Sequence, residues 1–420
     1  MSQLRYGLFL VAFVAATSLN AQDTSQYIIP GRVNTIEQQQ KPYVVLISID
    51  GFRYDLADKH NAVFLKKMRD AGVAAASMKP CFPSLTFPNH YSIITGLYPS
   101  HHGLVDNSFY DARKNAYYKV GDKRAVEDSS WYGGEPLWVL AEKQKMITAS
   151  FYWVGSESHI NGMPPTYYYK YNEAISIDRR VEILKEWLQQ PAETRPHLIT
   201  FYFPQVDHQE HMHGVDAKET EEAVHLVDDA IRKMYEACRS TGLPVNFVVV
   251  SDHGFANLDT AKIVPVALIT GLIDTSKFLM AGGGTMIHLY AKNKADIKPA
   301  YKRLREQTDF QAWLTTKTPK SWKYRKKNDR YHRIGDILLT CSPPRYFYFG
   351  GRKSLGAHGF DNRLPEMQAT FYAWGPAFKE HYKIRSFNNI DVYPLLAQLL
   401  GLKADQPVDG NAKKLGKILK

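Results

Sequence analysis

Hydrophobic residues along this chain fall into two kinds of segment, and the two kinds alternate. Short uninterrupted runs such as YVVLISID (43–50), HLITFYF (197–203) and VNFVVVSD (245–252) are rich in β-branched and aromatic residues. Such runs are typical of strands that are buried on both faces of a sheet. Between them, RRVEILKEWLQQ (179–190) and EEAVHLVDDAIRKMYEAC (221–238) place apolar residues three and four positions apart, which predicts amphipathic helices. The alternation predicts an α/β fold in which helices sandwich a mostly parallel central sheet.

The alternation of strand-like and helical segments changes between about residues 285 and 349. This stretch contains the strand-like MIHLYA, the helical ADIKPAYKRLREQ and the strand-like DILLTCS, and we interpret it as a small α+β insertion on the main sheet. The main pattern then resumes with MQATFYAWG and a last helix in VYPLLAQLLG. We therefore predict one domain over residues 41–403, followed by a tail over 404–420 that is frayed.

The first 21 residues have the pattern of a secretory signal peptide. Arg5 precedes an apolar run over 7–16, and a cleavage position follows Ala21. The apolar run is too short to span a bilayer, and no cysteine follows it as a lipid attachment point. We expect an exported chain, periplasmic or secreted, without a stable membrane anchor. In that setting the three cysteines, Cys81, Cys238 and Cys341, allow at most one disulfide, and they share no metal-type spacing.

The chain carries a formal net charge of +11. Such an excess attracts phosphate-bearing substrates or anionic surfaces. Much of it lies in KTPKSWKYRKKNDRYHR (317–333), which we interpret as a solvated charged face. We expect a small-molecule partner and no nucleic-acid polymer, and the sequence leaves the oligomeric state open.

Several of the buried runs end in residues that bind metal ions. Since functional groups collect at the carboxyl ends of the strands in parallel sheets, we expect these side chains to meet. A single Asp in such a place is usually a cap or turn residue, but here the pattern recurs. Carboxylates and imidazoles suit zinc and its neighbours, and six of them make two three-ligand sites for displacement at phosphorus. The six are Asp50, Asp207, His211, Asp252, His253 and His358.

The segment PCFPSLTFPNH (80–90) contains three candidate nucleophiles, Cys81, Ser84 and Thr86. Thr86 stands just before Pro88, where a helix is predicted to begin. A hydroxyl at a helix start lies in the positive field of free N–H groups, and a neighbouring metal ion lowers its pKa. The alternative is that Thr86 only caps the helix; the six metal ligands favour the nucleophile. CFPSL resembles the start of a sulfatase signature, but Leu85 stands where that signature has Arg.

Six segments together resemble the nucleotide pyrophosphatase/phosphodiesterases of the alkaline phosphatase superfamily, in order from about residue 41 to 402. They are VVLISIDGFR, PSLTFPNHYSIITGLYPSHHGLVDN, GGEPLWVLAEKQ, GSESHINGMPPTYYYKYN, VVVSDHG and AHGFDNRLPEMQATF. The resemblance identifies residues 41–403 as a phosphodiesterase catalytic domain of an exported bacterial member. It implies an alkaline phosphatase-like fold and hydrolysis of nucleotide phosphodiester or pyrophosphate bonds. The implied intermediate is a covalent phospho-threonine on Thr86, which water then resolves.

The resemblance also implies two Zn²⁺ ions and a set of substrate contacts. One zinc would be held by Asp50, Asp252, His253 and the Thr86 oxygen, and the other by Asp207, His211 and His358. Asn107 matches the position whose amide supports the phosphoryl oxygen beside Thr86. The residues that match the family's substrate-binding positions are Phe87, Asn107, Trp153, Glu157, Tyr171 and Tyr202.

The chain departs from the family pattern at four positions, and alternative functions stay open. His208, Gln209 and Glu210 replace small residues between two zinc ligands, and Glu157 stands where Asp is common. The aromatic positions favour nucleotides over choline-type phospholipids, which other members cleave. A phosphomonoesterase is expected to add a cationic group, and none lies near Thr86 in sequence. A non-catalytic metal-binding module is expected to have lost Thr86 or a ligand, and all of them are present.

Overall fold

A nine-stranded mixed sheet forms the centre of the protein in a computed structural model that describes residues 24–420. The predicted signal peptide, residues 1–21, lies outside the described residues. From one edge to the other, the strands are Tyr27–Ile28, Tyr167–Tyr169, Thr148–Phe151, Leu198–Phe203, Tyr43–Ile49, Val245–Val250, Phe371–Trp374, Val73–Ala75 and Tyr382–Ile384.

The centre of this sheet is parallel. The five strands from Tyr167–Tyr169 to Val245–Val250 all run parallel to their neighbours. Phe371–Trp374 is antiparallel to the strands on both of its sides, and Tyr27–Ile28 is antiparallel to its neighbour. The predicted α/β fold with a mostly parallel sheet is therefore confirmed, and the antiparallel strands lie toward the two edges.

Successive residues of the central strands belong alternately to two separate hydrophobic cores, one on each face of the sheet. Val44 and Leu46 belong to one core, and Val45 and Ile47 belong to the other, because side chains alternate between the two faces of a strand. Helices Thr86–Thr95, Leu137–Lys143 and Val392–Leu399 cover the first face. Helices Val63–Ala71, Ile177–Leu188 and Lys218–Ser240 cover the second face.

Residues 278–340 form a second, four-stranded antiparallel sheet, here called the insertion sheet. Its strands, in spatial order, are Phe278–Gly283, Met286–Ala291, Ile337–Thr340 and Gln311–Leu314. Helix Ile297–Leu304 packs within the same core. The sheet begins before residue 285 because the glycine-rich FLMAGG forms the first strand of a hairpin.

The charged segment over 317–333 is only partly a solvated face. Arg333 is buried, and its guanidinium donates to the carboxylate of Asp111 at 2.8 Å. Lys326 pairs with Asp336. Lys320 and Lys327 are exposed, as expected.

The end of the chain is ordered, which corrects the expectation of a frayed tail. Helix Ala412–Leu415 follows residue 404, and Leu415 and Ile418 are buried in the same core as Leu395. Burial of each of these two side chains contributes roughly 2 kcal/mol. Short-range periodicity in the tail is too weak to show this packing.

The three cysteines are free and buried, in line with a structural role. Among the helices of residues 24–420, none has the length and apolar character that crossing a bilayer requires.

Candidate active site

Three neighbouring parallel strands bring three carboxylates to one edge of the central sheet. Asp50 directly follows Tyr43–Ile49, whose neighbours are Leu198–Phe203 and Val245–Val250. Asp207 lies on the short helix after the first neighbour, and Asp252 lies just beyond the second. All three carboxylates are buried, and they meet because the carboxyl ends of parallel strands share an edge.

Asp207, His211 and His358 form one cluster of potential metal ligands. The Oδ1 atom of Asp207 lies 3.6 Å from Nε2 of His211 and 3.5 Å from Nε2 of His358. One atom from each side chain lies within 4.8 Å of the others. His211 is one helical turn after Asp207 on helix Gln205–His213, so both side chains project from the same face. These three residues are the set that the resemblance assigns to one zinc.

The other predicted ligands surround His253. Its Nε2 atom lies 2.9 Å from Oδ2 of Asp252 and 3.4 Å from Oδ1 of Asp50. The hydroxyl of Thr86 lies 3.3 Å from the same nitrogen. Asp50, Asp207 and His253 also come within mutual reach, so the two clusters adjoin each other.

Thr86 is the first residue of helix Thr86–Thr95, and Leu85 occupies the capping position. Thr86 is therefore not at the capping position itself, and its hydroxyl lies 3.3 Å from Nε2 of His253. The other two candidate nucleophiles, Cys81 and Ser84, have buried side chains. Burial raises the pKa of the Cys81 thiol to about 12, and the Ser84 hydroxyl donates to the carbonyl of Phe360 at 2.8 Å.

The three histidines are oriented by backbone carbonyls. The Nδ1 atom of His211 lies 3.2 Å from the carbonyl oxygen of Gly356, and that of His358 lies 3.1 Å from the carbonyl oxygen of Ser84. Nδ1 of His253 lies 3.1 Å from the carbonyl oxygen of Gly254. A carbonyl only accepts hydrogen bonds, so each ring carries its proton on Nδ1. The Nε2 lone pairs are therefore turned toward the carboxylates, as in histidines that bind metal ions.

The electrostatics of this site favour a cation. Asp50 Oδ1, Asp207 Oδ1 and Asp252 Oδ2 are buried, and none of them forms a hydrogen bond with another described residue. Burial raises the pKa of Asp207 to about 7, and burial together with Asp252 raises the pKa of Asp50. Burial lowers the pKa of His358, which favours the neutral imidazole that metals require. Burial likewise lowers the pKa of His211, to about 4, whereas Asp252 raises the pKa of His253 to about 9. Buried carboxylate oxygens without partners beside imidazole nitrogens fit divalent metal ions.

Two residues beside the clusters have contacts that the sequence analysis did not predict. His90 lies within reach of Asp50 and Asp252, and its Nδ1 atom is 3.0 Å from the carbonyl oxygen of Thr86. Its Nε2 atom is 2.8 Å from Oγ of Ser48. Tyr202, predicted only as a substrate contact, donates its hydroxyl to Oδ2 of Asp50 at 2.5 Å. The position of His90, one helical turn after Thr86, was the only available signal in the sequence.

A cavity of about 400 Å³ opens beside the nucleophile candidate. It is lined by Thr86 together with five of the six predicted substrate-binding residues, which are Phe87, Trp153, Glu157, Tyr171 and Tyr202. The sixth, Asn107, lines an adjoining cavity of about 540 Å³ with His211 and His358. The two cavities share Val120 and Gly121.

Two of the predicted contact residues are held by the backbone around them. The side-chain oxygen of Asn107 accepts a hydrogen bond from the N–H of Phe87 at 3.1 Å. This bond leaves the amide nitrogen of Asn107 for other partners. The carboxylate of Glu157 accepts a hydrogen bond from the N–H of Tyr171 at 3.2 Å.

The departures from the family pattern have different surroundings. His208 lines the 400 Å³ cavity. Glu210 is fully buried, and neither of its carboxylate oxygens has a hydrogen-bond partner among the described residues. It packs against Gly51, where a β-carbon would lie 2.7 Å from Oε2 of Glu210. Gly51 also has φ of +74°, so both its backbone and its surroundings require glycine.

This arrangement of a helix-flanked mixed sheet defines an alkaline phosphatase-like α/β fold, with ligand clusters at the strand ends. Murine ectonucleotide pyrophosphatase/phosphodiesterase 5 has the same fold, with a TM-score of 0.83 and 25% identity over 90% of this chain and 100% of that one. A structure of the same murine protein, an inactive threonine-to-alanine variant in complex with AMP, gives a TM-score of 0.84 at 25% identity, with the same coverage of both chains.

The chain belongs to the type I phosphodiesterase / nucleotide pyrophosphatase family, whose model matches residues 44–361. The resemblance found in the sequence is thereby confirmed. Ectonucleotide pyrophosphatase/phosphodiesterase family member 1 from Mus musculus is 32% identical over 396 residues, which cover 91% of this chain and 43% of the relative. Venom phosphodiesterase 2 from Crotalus adamanteus is 31% identical over 395 residues, which cover 91% and 48%. The chain thus spans less than half the length of these relatives.

Proposed function

We propose that this protein is a metal-dependent phosphodiesterase and nucleotide pyrophosphatase that uses Thr86 as its nucleophile. The observation that carries the proposal is the position of the Thr86 hydroxyl. It lies 3.3 Å from Nε2 of His253, at the junction of two carboxylate–imidazole clusters, and it lines an aromatic cavity. The Thr86 hydroxyl oxygen would therefore act as the nucleophile, contact the metal site and line the substrate pocket.

The two clusters would hold two zinc ions. Asp207, His211 and His358 would bind one ion, and Asp50, Asp252 and His253 would bind the other together with the Thr86 oxygen. Such ions lower the pKa of hydroxyl groups and neutralise charge on a phosphoryl group. Three carboxylates and three imidazoles suit zinc.

In the first half of the reaction, Oγ1 of Thr86 would attack phosphorus as the bond to the leaving group breaks on the opposite side. The start of helix Thr86–Thr95 places this oxygen in a positive field, which favours its ionised form. The product is a phosphodiester of Thr86, and the departing oxygen takes a proton. In the second half, water cleaves the threonine ester, releases a monoester and restores the hydroxyl.

Asn107 would support a non-bridging phosphoryl oxygen. Its side-chain oxygen is held by the N–H of Phe87, the residue that follows the nucleophile. The amide nitrogen is thus free to donate toward the reacting group. A donor fixed before the reaction begins stabilises developing charge without a reorganisation cost.

The aromatic cavity supports nucleotides as the substrate class. Phe87, Tyr171 and Tyr202 line it, and a base stacked on an aromatic ring gains ~1–3 kcal/mol. The murine relative was solved with AMP, and its threonine-to-alanine variant is inactive. Both facts concern that protein, and they agree with a nucleotide pocket and an essential threonine here. We also propose that the chain is exported, because residues 1–21 have the pattern of a signal peptide.

A hydrolysis panel tests this function. The purified protein, loaded with zinc, is assayed on the p-nitrophenyl ester of thymidine monophosphate, bis(p-nitrophenyl) phosphate, p-nitrophenyl phosphate, p-nitrophenyl phosphorylcholine and p-nitrophenyl sulfate. We expect the thymidine monophosphate ester and bis(p-nitrophenyl) phosphate, which are both diesters, to be cleaved far faster than the monoester and the sulfate. Fastest cleavage of the monoester would identify a phosphomonoesterase, and fastest cleavage of the choline ester would identify a phospholipid diesterase. Two equivalents of zinc by metal analysis are expected, and fewer would contradict the two-ion site.

A further inference from the structure

A buried histidine of the insertion sheet lies beside the loop that carries Asn107. His288, on strand Met286–Ala291, is fully buried. Its Nε2 atom lies 3.4 Å from Oδ2 of Asp106, the residue that precedes Asn107. Asp106 is also buried, and among the described residues this oxygen has no hydrogen-bond partner. The ring of His288 thus lies beside a buried carboxylate oxygen that accepts no hydrogen bond from the described residues.

The contacts of His288 determine which nitrogen carries its proton. Nδ1 lies 3.2 Å from the backbone N–H of Gly335 and accepts its hydrogen bond. A ring that accepts at Nδ1 carries its proton on Nε2. That nitrogen lies 3.4 Å from Oδ2 of Asp106 and 3.5 Å from the hydroxyl oxygen of Tyr324. The Tyr324 hydroxyl in turn donates to the carbonyl of Val105 at 2.6 Å.

Asp106 links the contact with His288 to the position of Asn107. Its other oxygen, Oδ1, accepts a hydrogen bond from the N–H of Ser108 at 2.9 Å, and so closes a turn around Asn107. The insertion sheet therefore contacts the backbone before Asn107 through Tyr324, and the side chain that closes its turn through His288. Both contacts are buried, where polar interactions are strong and their loss is costly.

We propose that His288 is a positioning residue for Asn107, and that the insertion sheet serves as the rigid support of the amide that faces the phosphoryl group. This inference rests on the role of Asn107 in the proposed function. His288 belongs to neither ligand cluster and lines neither cavity, but it contacts Asp106, which lines the cavity of about 540 Å³ together with Asn107. Its effect on the reaction passes through Asp106 and the turn. Misplacement of a catalytic group by a fraction of an ångström to about 1 Å lowers the rate by up to ~100-fold.

The test compares two substitutions of His288 in the full, zinc-loaded protein. His288→Met introduces an apolar side chain of similar length and removes the N–H beside Asp106 and Tyr324. We expect it to lower kcat on bis(p-nitrophenyl) phosphate about tenfold, with little change in KM, because the amide acts chiefly in the transition state. His288→Gln keeps an N–H near the position of Nε2, and we expect it to retain most of kcat.

A matched control separates positioning from general destabilisation of the insertion sheet. Thr315 is buried in the same region, and its hydroxyl donates to the carbonyl of Gly335 at 2.7 Å. Thr315→Val removes one buried hydrogen bond there without touching Asp106 or Tyr324. We expect it to lower the unfolding temperature as His288→Met does but to leave kcat unchanged. Loss of kcat in Thr315→Val equal to that in His288→Met would overturn the positioning role.

A double-mutant cycle with Asn107→Ala decides the route of the effect. If His288 acts through Asn107, His288→Met lowers kcat no further once the amide is gone. A full additional tenfold loss in the Asn107→Ala background would overturn the proposal, and so would wild-type kcat in His288→Met. A wild-type protein without diesterase activity would overturn the proposed function and this inference together, whereas additive losses in an active enzyme overturn this inference alone.

Discussion

Tyr202 donates its hydroxyl to Oδ2 of Asp50 at 2.5 Å, and the same tyrosine lines the aromatic cavity. This bond fixes the carboxylate whose other oxygen faces His253. Tyr202→Phe keeps the ring in the cavity and removes only the hydrogen bond. Since loss of a group that orients a metal ligand costs ~10–100-fold in metal affinity or activity, we expect weaker zinc retention and a lower kcat.

Zinc retention is measured by competition with a chelator, and kcat and KM are measured on a nucleotide ester. KM is expected to stay close to wild type, because the ring surface remains in place. If Tyr202→Phe keeps its zinc and its kcat, the hydroxyl has no role in orienting Asp50.

Thr86→Ala removes the candidate nucleophile but none of the carboxylate or imidazole ligands. We expect zinc to stay bound and kcat to fall by at least ~10³-fold, as with other nucleophile knockouts. Thr86→Ser restores a hydroxyl at the same atom and is expected to recover part of the rate. Mass spectrometry of acid-quenched reactions is expected to show a phosphoryl or nucleotidyl adduct on Thr86 in the wild-type protein. Full activity in Thr86→Ala would eliminate the nucleophile assignment.

Tyr171 is 45% exposed at the cavity, so its ring is available to stack on a base. For Tyr171→Ala we expect kcat/KM on the p-nitrophenyl ester of thymidine monophosphate to fall roughly tenfold, in the range of ~1–3 kcal/mol for stacking. Methyl p-nitrophenyl phosphate has no base, and its kcat/KM is expected to change little. Tyr117 is 38% exposed and lies outside both cavities, so Tyr117→Ala is the control. Equal losses on both substrates would argue against a base-stacking site.

We expect His102 to make the stability of the protein depend on pH. It packs against helix Thr86–Thr95, with Nε2 3.0 Å from Oγ of Ser92, and its Nδ1 atom accepts the N–H of Leu104 at 3.2 Å. Burial lowers the pKa of His102 to about 3, whereas an unfolded histidine has a pKa of about 6.5. Its contribution is therefore fully present above pH 6.5 and is lost as pH falls toward 3.

At about 1.4 kcal/mol per pH unit, this histidine costs about 2 kcal/mol of the free energy of unfolding between pH 6.5 and pH 5. We expect His102→Gln to reduce that pH-dependent loss, even though it lowers stability at pH 7. Urea unfolding at the two pH values measures the difference, and His332→Gln, on an exposed histidine, is the control. An unchanged difference in His102→Gln would show that other groups dominate the acid sensitivity.

The candidate ligands were predictable because each follows a strongly patterned strand or sits in a short distinctive motif. Asp50 and Asp252 end continuous apolar runs, and parallel strands bring such ends to one edge whatever the details of packing. The residues that lie beside the predicted ligands or beside Asn107 do not follow a strand in this way. His90 lies within a helix and His288 within a strand, where a lone histidine usually has only a packing role.

The sequence alone determined the order of strands and helices, the family and the residue types at the strand ends, because these depend on local periodicity and short-range motifs. Only the tertiary structure decided which atoms meet. The Nε2 atoms of His211 and His358 face Asp207 because distant carbonyls, of Gly356 and Ser84, hold their other nitrogens. Other contacts likewise join segments far apart in the chain: the antiparallel pairing of Phe371–Trp374 with Val245–Val250, the buried tail, and the contact between His288 and Asp106. Such contacts depend on how the whole chain packs, and no local pattern encodes them.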